Sequence, residues 1–237
     1  MPRLLIINPN TSEPVTRSIA TLARDELGDA AEITAVTARF GGRYIASRAT
    51  AAIAAHAVLD AAATALRNGA APDAIILGCF GDPGLAALRE ATGLPVLGFA
   101  TTGFTVAARL PGRFLVATGG TIWCEMLSEL AITLGVAPRI AGYVSIDEAA
   151  SDPDRARAAL AEAAARTGAA RVVVGGAGLI PVMPRLAEGL PVPFLDPHRA
   201  TLREALRVAR EDAAAPAPSA TEGLSEALSA LLRAGAE

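Results

Sequence analysis

The chain matches itself, and that match constrains its fold more than any other feature. Residues 113–121 (RFLVATGGT) lie over 3–11 (RLLIINPNT) without a gap; each begins with arginine, runs four apolar residues and closes in a small polar turn. Residues 171–179 (RVVVGGAGL) lie over 74–82 (AIILGCFGD) in the same way, and Leu190-Pro191-Val192 over Leu94-Pro95-Val96. The three matches keep their order in both halves. Short apolar runs that end in glycine or small polar residues, just before a helical stretch, are the signature of buried parallel strands. Strands alternating with helices at this spacing predict an α/β protein with covered sheets, here present twice.

Taken in order, 4–7 is the first strand, followed by a helix over 13–27 that Thr11 or Ser12 can cap, with Pro14 in its first turn. Residues 32–37 alternate as a second strand. A loop with Gly41, Gly42, Arg43 and Tyr44 then precedes a long Ala-rich helix from about 47 to 67. The third strand ends in Gly78-Cys79, a turn over 81–84 leads into a helix to 92, and 94–99 is a further strand. In the second half 140–145 and 152–167 take the places of the second strand and the long helix. A Pro/Ala-rich linker over 212–221 precedes an amphipathic helix, 222–232, expected to pack back onto one lobe.

Ligands of such sheets sit beyond the carboxyl ends of the strands. Four small-residue loops, 8–12, 78–82, 118–121 and 175–178, are therefore expected to face one cleft. The hydrophobic fraction of 52% can fill one large core or two modest ones. Lys+Arg (21) nearly balance Asp+Glu (24), and no basic run suggests nucleic acid or an anionic membrane. Cys79 and Cys124 make no metal-ligand spacing. No apolar run reaches the roughly 20 residues of a membrane span, and no secretory signal stands at the start. A cytoplasmic protein acting on a small molecule is the expectation.

Two mirror-related loops around one ligand suit chemistry that must reach both faces of a carbon. Taking a proton from a carbon next to a carbonyl or carboxylate, and returning one from the other side, needs an acid/base group on each face. A thiol can serve where an anion-binding loop and desolvation tune it. Gly-rich turns with Thr and Ser supply donors for enolate-like oxygens. A lone cysteine at a strand end is equally compatible with a small buried hydrophobe.

The run 7–12 (INPNTS), together with 78–85 (GCFGDPGL), resembles the Asp/Glu/hydantoin racemase superfamily, most closely its hydantoin racemase branch. That resemblance implies an isomerase without metal or cofactor, homo-oligomeric, with two pseudo-symmetric flavodoxin-like lobes and an interlobe active site. The lobes would be 1–98 plus 211–237, and 99–210. It implies Cys79 as catalytic acid/base. Asn10, Thr11 and the backbone of Phe80, Gly81 and Asp82 would hold the substrate, with Thr118, Gly119, Gly176 and Ala177 from the second lobe. The family's second cysteine falls at Gly176, which can neither give nor take a proton. His198, Cys124 or a bound water could serve the second face. Otherwise the reaction is one-sided, as in cofactor-free decarboxylation of a malonate-like acid with protonation by Cys79, or the site binds without turnover. Arg43 and Arg48 could pair a substrate carboxylate, Thr101 and Thr102 could cap a helix or touch substrate, and His56 reads as a helix-packing residue.

Overall fold

The computed structural model describes residues 1–209 and 221–233. Each half builds a four-stranded parallel sheet. The first contains β1 (Arg3–Asn8), β2 (Glu32–Thr37), β3 (Ala74–Leu77) and β4 (Val96–Gly98), in the order β2-β1-β3-β4. The second contains β5 (Phe114–Thr118), β6 (Ile140–Ser145), β7 (Arg171–Val174) and β8 (Phe194–Leu195), in the order β6-β5-β7-β8. Leu4 stands opposite Ala74, and Phe114 opposite Arg171. These are the residues that the two sequence matches superimpose, so the repeat holds down to the register.

Nine α-helices lie among the described residues, seven between strands and two after the last: α1 (Glu13–Leu27), α2 (Arg48–Arg67), α3 (Leu85–Thr92), α4 (Phe99–Arg109), α5 (Thr121–Thr133), α6 (Pro153–Thr167), α7 (Met183–Ala187), α8 (Pro197–Val208) and α9 (Glu226–Arg233). Their ends follow local chemistry. Ser47 and Thr50 form a reciprocal capping box at the start of α2. Asp152 accepts the Arg155 N–H ahead of α6, and Gly168 ends that helix in the left-handed region. By length and composition α2 is apolar enough to cross a membrane, contrary to the reading of the sequence. Here its Ala54, Ala57, Val58 and Ala61 are buried, and its Asp60 bonds to Arg39 and Ser225.

The lobes exchange helices. The chain runs from β4 straight into α4, which reaches across to β7; α8, which follows β8, lies against β3 and β4. Within 99–210, which the resemblance assigns to the second lobe, α8 turns its buried stripe of His198, Thr201, Leu202 and Ala205 inward and lies against the first sheet. The result is a core continuous between the lobes, in which Phe104 meets Phe80 edge-on at 5.8 Å and Phe114 at 6.0 Å. The last helix does pack back, through Ala227 and Leu228 against Ala63 of α2. It begins at Glu226 rather than 222, since Gly223 takes φ 72° and the Ser225 hydroxyl accepts the Leu228 N–H as its cap. Linker residues 212–220 lie outside the described residues.

Candidate active site

In a sheet of order 2-1-3-4 the direction of winding reverses between the first and third strands, and ligands bind at that switch point. The two switch points, β1/β3 and β5/β7, open into one cavity of about 380 Å³ between the lobes. From the first lobe it is lined by Asn10, Tyr44, Cys79 and Phe80, and from the second by Thr118, Gly119, Asp147, Gly176 and Ala177. Val15, Ile45, Trp123, Ile146 and Leu179 form an apolar wall. Trp123 is fixed there by an Nε1–H donated to the Ile45 carbonyl at 2.8 Å.

Cys79 follows β3 through Gly78, whose N–H donates to the Ile7 carbonyl at 2.8 Å. A Cβ at Gly78 would sit 2.9 Å from Ile19 Cδ1 and 3.2 Å from the Ile7 carbonyl oxygen, so glycine lets β3 end close to β1 and α1 without displacing either. The thiol is 9% exposed. Burial, and then the charge of Asp82, push its pKa well above the ordinary thiol range, so Cys79 rests as a proton donor. Asn10 accepts from Asn8 Nδ2 at 2.9 Å and from the Ser12 N–H at 2.8 Å, which holds its side-chain oxygen and leaves its amide group as the donor.

Three expected substrate contacts do not line the cavity. Thr11 donates its N–H to the Gly42 carbonyl at 3.1 Å and so ties two loops together. Gly81 makes room for Trp123, since a Cβ there would fall 2.1 Å from the indole ring. Asp82, the one non-glycine residue with positive φ among those described, turns its carboxylate away. It accepts the N–H groups of Ala100 at 3.1 Å and Thr101 at 2.6 Å, which caps α4. Gly98 is needed for this approach, because its Cβ would lie within 2.5 Å of the carboxylate.

Burial outweighs those donors and pushes the Asp82 pKa up to about 6. The folded value thus lies above the unfolded one, near 4. Stability linked to protonated Asp82 is fully present below about pH 4 and is lost as the pH rises through about 6. Asp82→Asn, which cannot ionise, should gain on the wild type by up to about 2–3 kcal/mol between pH 4 and pH 7. Urea midpoints across that range measure it, and a stability difference that stays flat with pH would contradict the burial argument.

The sequence candidates for the second face lie elsewhere. His198 is fully buried, with Nδ1 2.8 Å from Asp196 and its ring edge-on to Phe99 at 4.7 Å. Cys124 is half-buried and outside the cavity lining; its neighbour Trp123 takes the inward face of α5. His56 packs against Phe40. Arg48 pairs with Glu125 and Glu129, and Arg43 is also absent from the lining. Thr101 and Thr102 stand at the start of α4, outside the cavity. No Arg, Lys or His lines the cavity among the described residues. Nor is there among them a group of three or more His, Cys, Asp or Glu side chains placed to hold a metal ion. Sequence reasoning missed Asp147 and the apolar wall. Asp147 lies two residues beyond β6, at the carboxyl edge where site residues gather, and that position was a usable signal.

Paired parallel-sheet lobes that share one cleft at their switch points define a two-lobe α/β protein with a small-molecule site between the lobes. The Asp/Glu/Hydantoin racemase family model matches residues 4–205, and the chain belongs to that family. It is 31% identical over 212 residues to the hydantoin racemase of Paenarthrobacter aurescens, covering 86% of this chain and 89% of that one. Allantoin racemase from Klebsiella pneumoniae superimposes with a TM-score of 0.86 at 28% identity, over 96% of this chain and 99% of that one. Unliganded arylmalonate decarboxylase shares the fold, with a TM-score of 0.59 at 20% identity over 90% and 94% of the two chains.

Proposed function

We propose that this protein racemises 5-substituted hydantoins, neutral cyclic ureides, with Cys79 as an acid/base and without a metal or cofactor. The charge of the cavity carries the reading. With no cation among the described lining residues and with Asp147 present, a substrate carboxylate would have no ion-pair partner and would meet a like charge. That weighs against free amino acids and malonates. A hydantoin ring is uncharged, offers N–H donors and carbonyl acceptors to the polar loops, and has a C5–H acidified by the neighbouring carbonyl. The wall of Val15, Ile45, Trp123, Ile146 and Leu179 suits an apolar substituent at C5. The names of the hydantoin and allantoin racemases that this chain resembles support the same class.

In the reaction a base on the face opposite Cys79 takes the C5 proton, the C–H electron pair enters the carbonyl, and the enolate oxygen is met by the loop N–H groups of Phe80, Gly119 and Gly176. The Cys79 thiol then gives a proton to C5. The expected result is loss of optical activity and C5-deuterium incorporation from water for a 5-alkyl hydantoin, with no turnover of free amino acids or an aryl malonate. Chiral chromatography and NMR in deuterated water read both. Release of carbon dioxide from the malonate would replace this reading by the one-sided decarboxylase, which the single thiol favours. Binding without exchange on any of these compounds would leave a ligand-binding protein.

A further inference from the structure

Racemisation needs a group on each face of the reacting carbon. Cys79 supplies the first lobe's, but the position related to it by the internal repeat holds Gly176. That residue has φ 140° and ψ 115°, a backbone conformation that side chains rarely adopt, so a replacement there would be strained. The ionisable residues lining the cavity, among those described, are Tyr44, Cys79 and Asp147. Tyr44 and Cys79 come from the first lobe, and Asp147 from the second.

We propose that Asp147 is the acid/base of the second face, facing Cys79 across the cavity; this rests on the hydantoin racemase reading. Its carboxylate is held by a relay. The Gly120 N–H donates to Ser145 Oγ at 3.0 Å, and that hydroxyl donates to Asp147 Oδ2 at 2.9 Å. The relay fixes one oxygen and leaves Oδ1 beside two glycines. A Cβ at Gly119 would lie 3.9 Å from Oδ1 and 3.8 Å from the Tyr44 hydroxyl, and one at Gly120 would lie 3.8 Å from Oδ1. The missing side chains at 119 and 120 thus leave the carboxylate and the phenol flanking the same open backbone. Tyr44 also senses both partners: burial raises its pKa first, and then the charges of Cys79 and Asp147.

The proton balance closes. The Asp147 carboxylate takes the C5 proton of the enantiomer that presents it to the second lobe. The C–H electron pair moves into the adjacent carbonyl and forms the enolate. The Cys79 S–H bond then breaks, its proton going to the opposite face of C5 and its electron pair staying on sulfur. Protonated Asp147 and the Cys79 thiolate return to the starting form by exchange with water. The other enantiomer runs the same steps backwards from the form with protonated Asp147 and the Cys79 thiolate, the thiolate taking the C5 proton and Asp147 giving its proton to the opposite face. A carboxylate suffices as base where the carbanion is stabilised as an enolate.

The test follows C5-deuterium uptake and inversion by wild type, Asp147→Asn, Asp147→Glu and Cys79→Ala on each pure enantiomer of a 5-alkyl hydantoin. Asp147→Asn should lose racemisation by about 10²–10⁴-fold and Asp147→Glu should recover part of it. Cys79→Ala should keep exchange without inversion for one enantiomer, and that enantiomer should be the one whose exchange Asp147→Asn abolishes. Wild-type racemisation by Asp147→Asn would overturn the proposal, as would survival of the same enantiomer's exchange in both variants. A wild type that exchanges neither enantiomer would instead defeat the functional reading on which it rests. Asp147 is exposed, so unfolding of the variant is not expected to obscure the result.

Discussion

Replacing Cys79 with alanine is expected to lower kcat/KM for hydantoin racemisation by about 10²–10⁴-fold, the usual share of a positioned proton donor or acceptor. Folding should suffer little. The change removes one sulfur from a side chain 9% exposed at the cavity edge, comparable to a buried methylene at about 1 kcal/mol. The two measurements together separate the acid/base role from a packing role. A cysteine that only fills space would cost stability in proportion to its burial and leave the rate on surviving folded protein unchanged. Chiral chromatography gives the rate and urea unfolding gives the stability of the same preparation. Activity within a few-fold of wild type would end the assignment of Cys79. The geometry argues otherwise: the thiol lines the interlobe cavity, and its burial keeps it protonated and ready to donate.

A large loss of stability is expected at Gly175, where the two lobes touch behind the cavity. A Cβ there would stand 2.2–2.3 Å from Cγ, Cδ1 and Cδ2 of Phe80. Those atoms are the root of a buried ring, 3% exposed and packed edge-on against Phe104, so the ring cannot swing away without disturbing the shared core. Gly175→Ala should therefore destabilise by about 3 kcal/mol, the upper end for overpacking a tight core. Activity should fall as well, since Phe80 lines the cavity. Gly178→Ala is the control: nothing lies within 4 Å of a Cβ there, and its cost should stay within about 0.5 kcal/mol. Urea midpoints for the pair decide the matter; equal midpoints would show that the ring yields after all.

Much of the fold was legible because its signals are local. The expected bounds of α1, β2 and β6 are those observed, since the apolar pattern of each segment is read within the segment and needs no distant partner. The exchange of α4 and α8 was not legible. Nothing within α8 says which sheet its buried stripe will cover, and that choice depends on β3 and β4, roughly a hundred residues away.

The sequence by itself determined the duplicated α/β plan, the convergence of four small-residue loops and the absence of a thiol at position 176. Tertiary structure alone decided which loop side chains face the cleft. Thr11, Gly81 and Asp82 share loops with Asn10, Cys79 and Phe80, yet serve the scaffold, because in a tight turn neighbouring side chains diverge and packing selects the direction of each. Asp82 turns away at φ 49° to cap α4, while Phe80, two residues earlier, enters the cavity. Asp147 enters the same cavity because β6 pairs with β5 and delivers the residues beyond it to the β5/β7 switch point. The apolar patterns that mark strands and helices are read a few residues apart, whereas the site between the lobes joins residues as distant in the chain as Asn10 and Leu179.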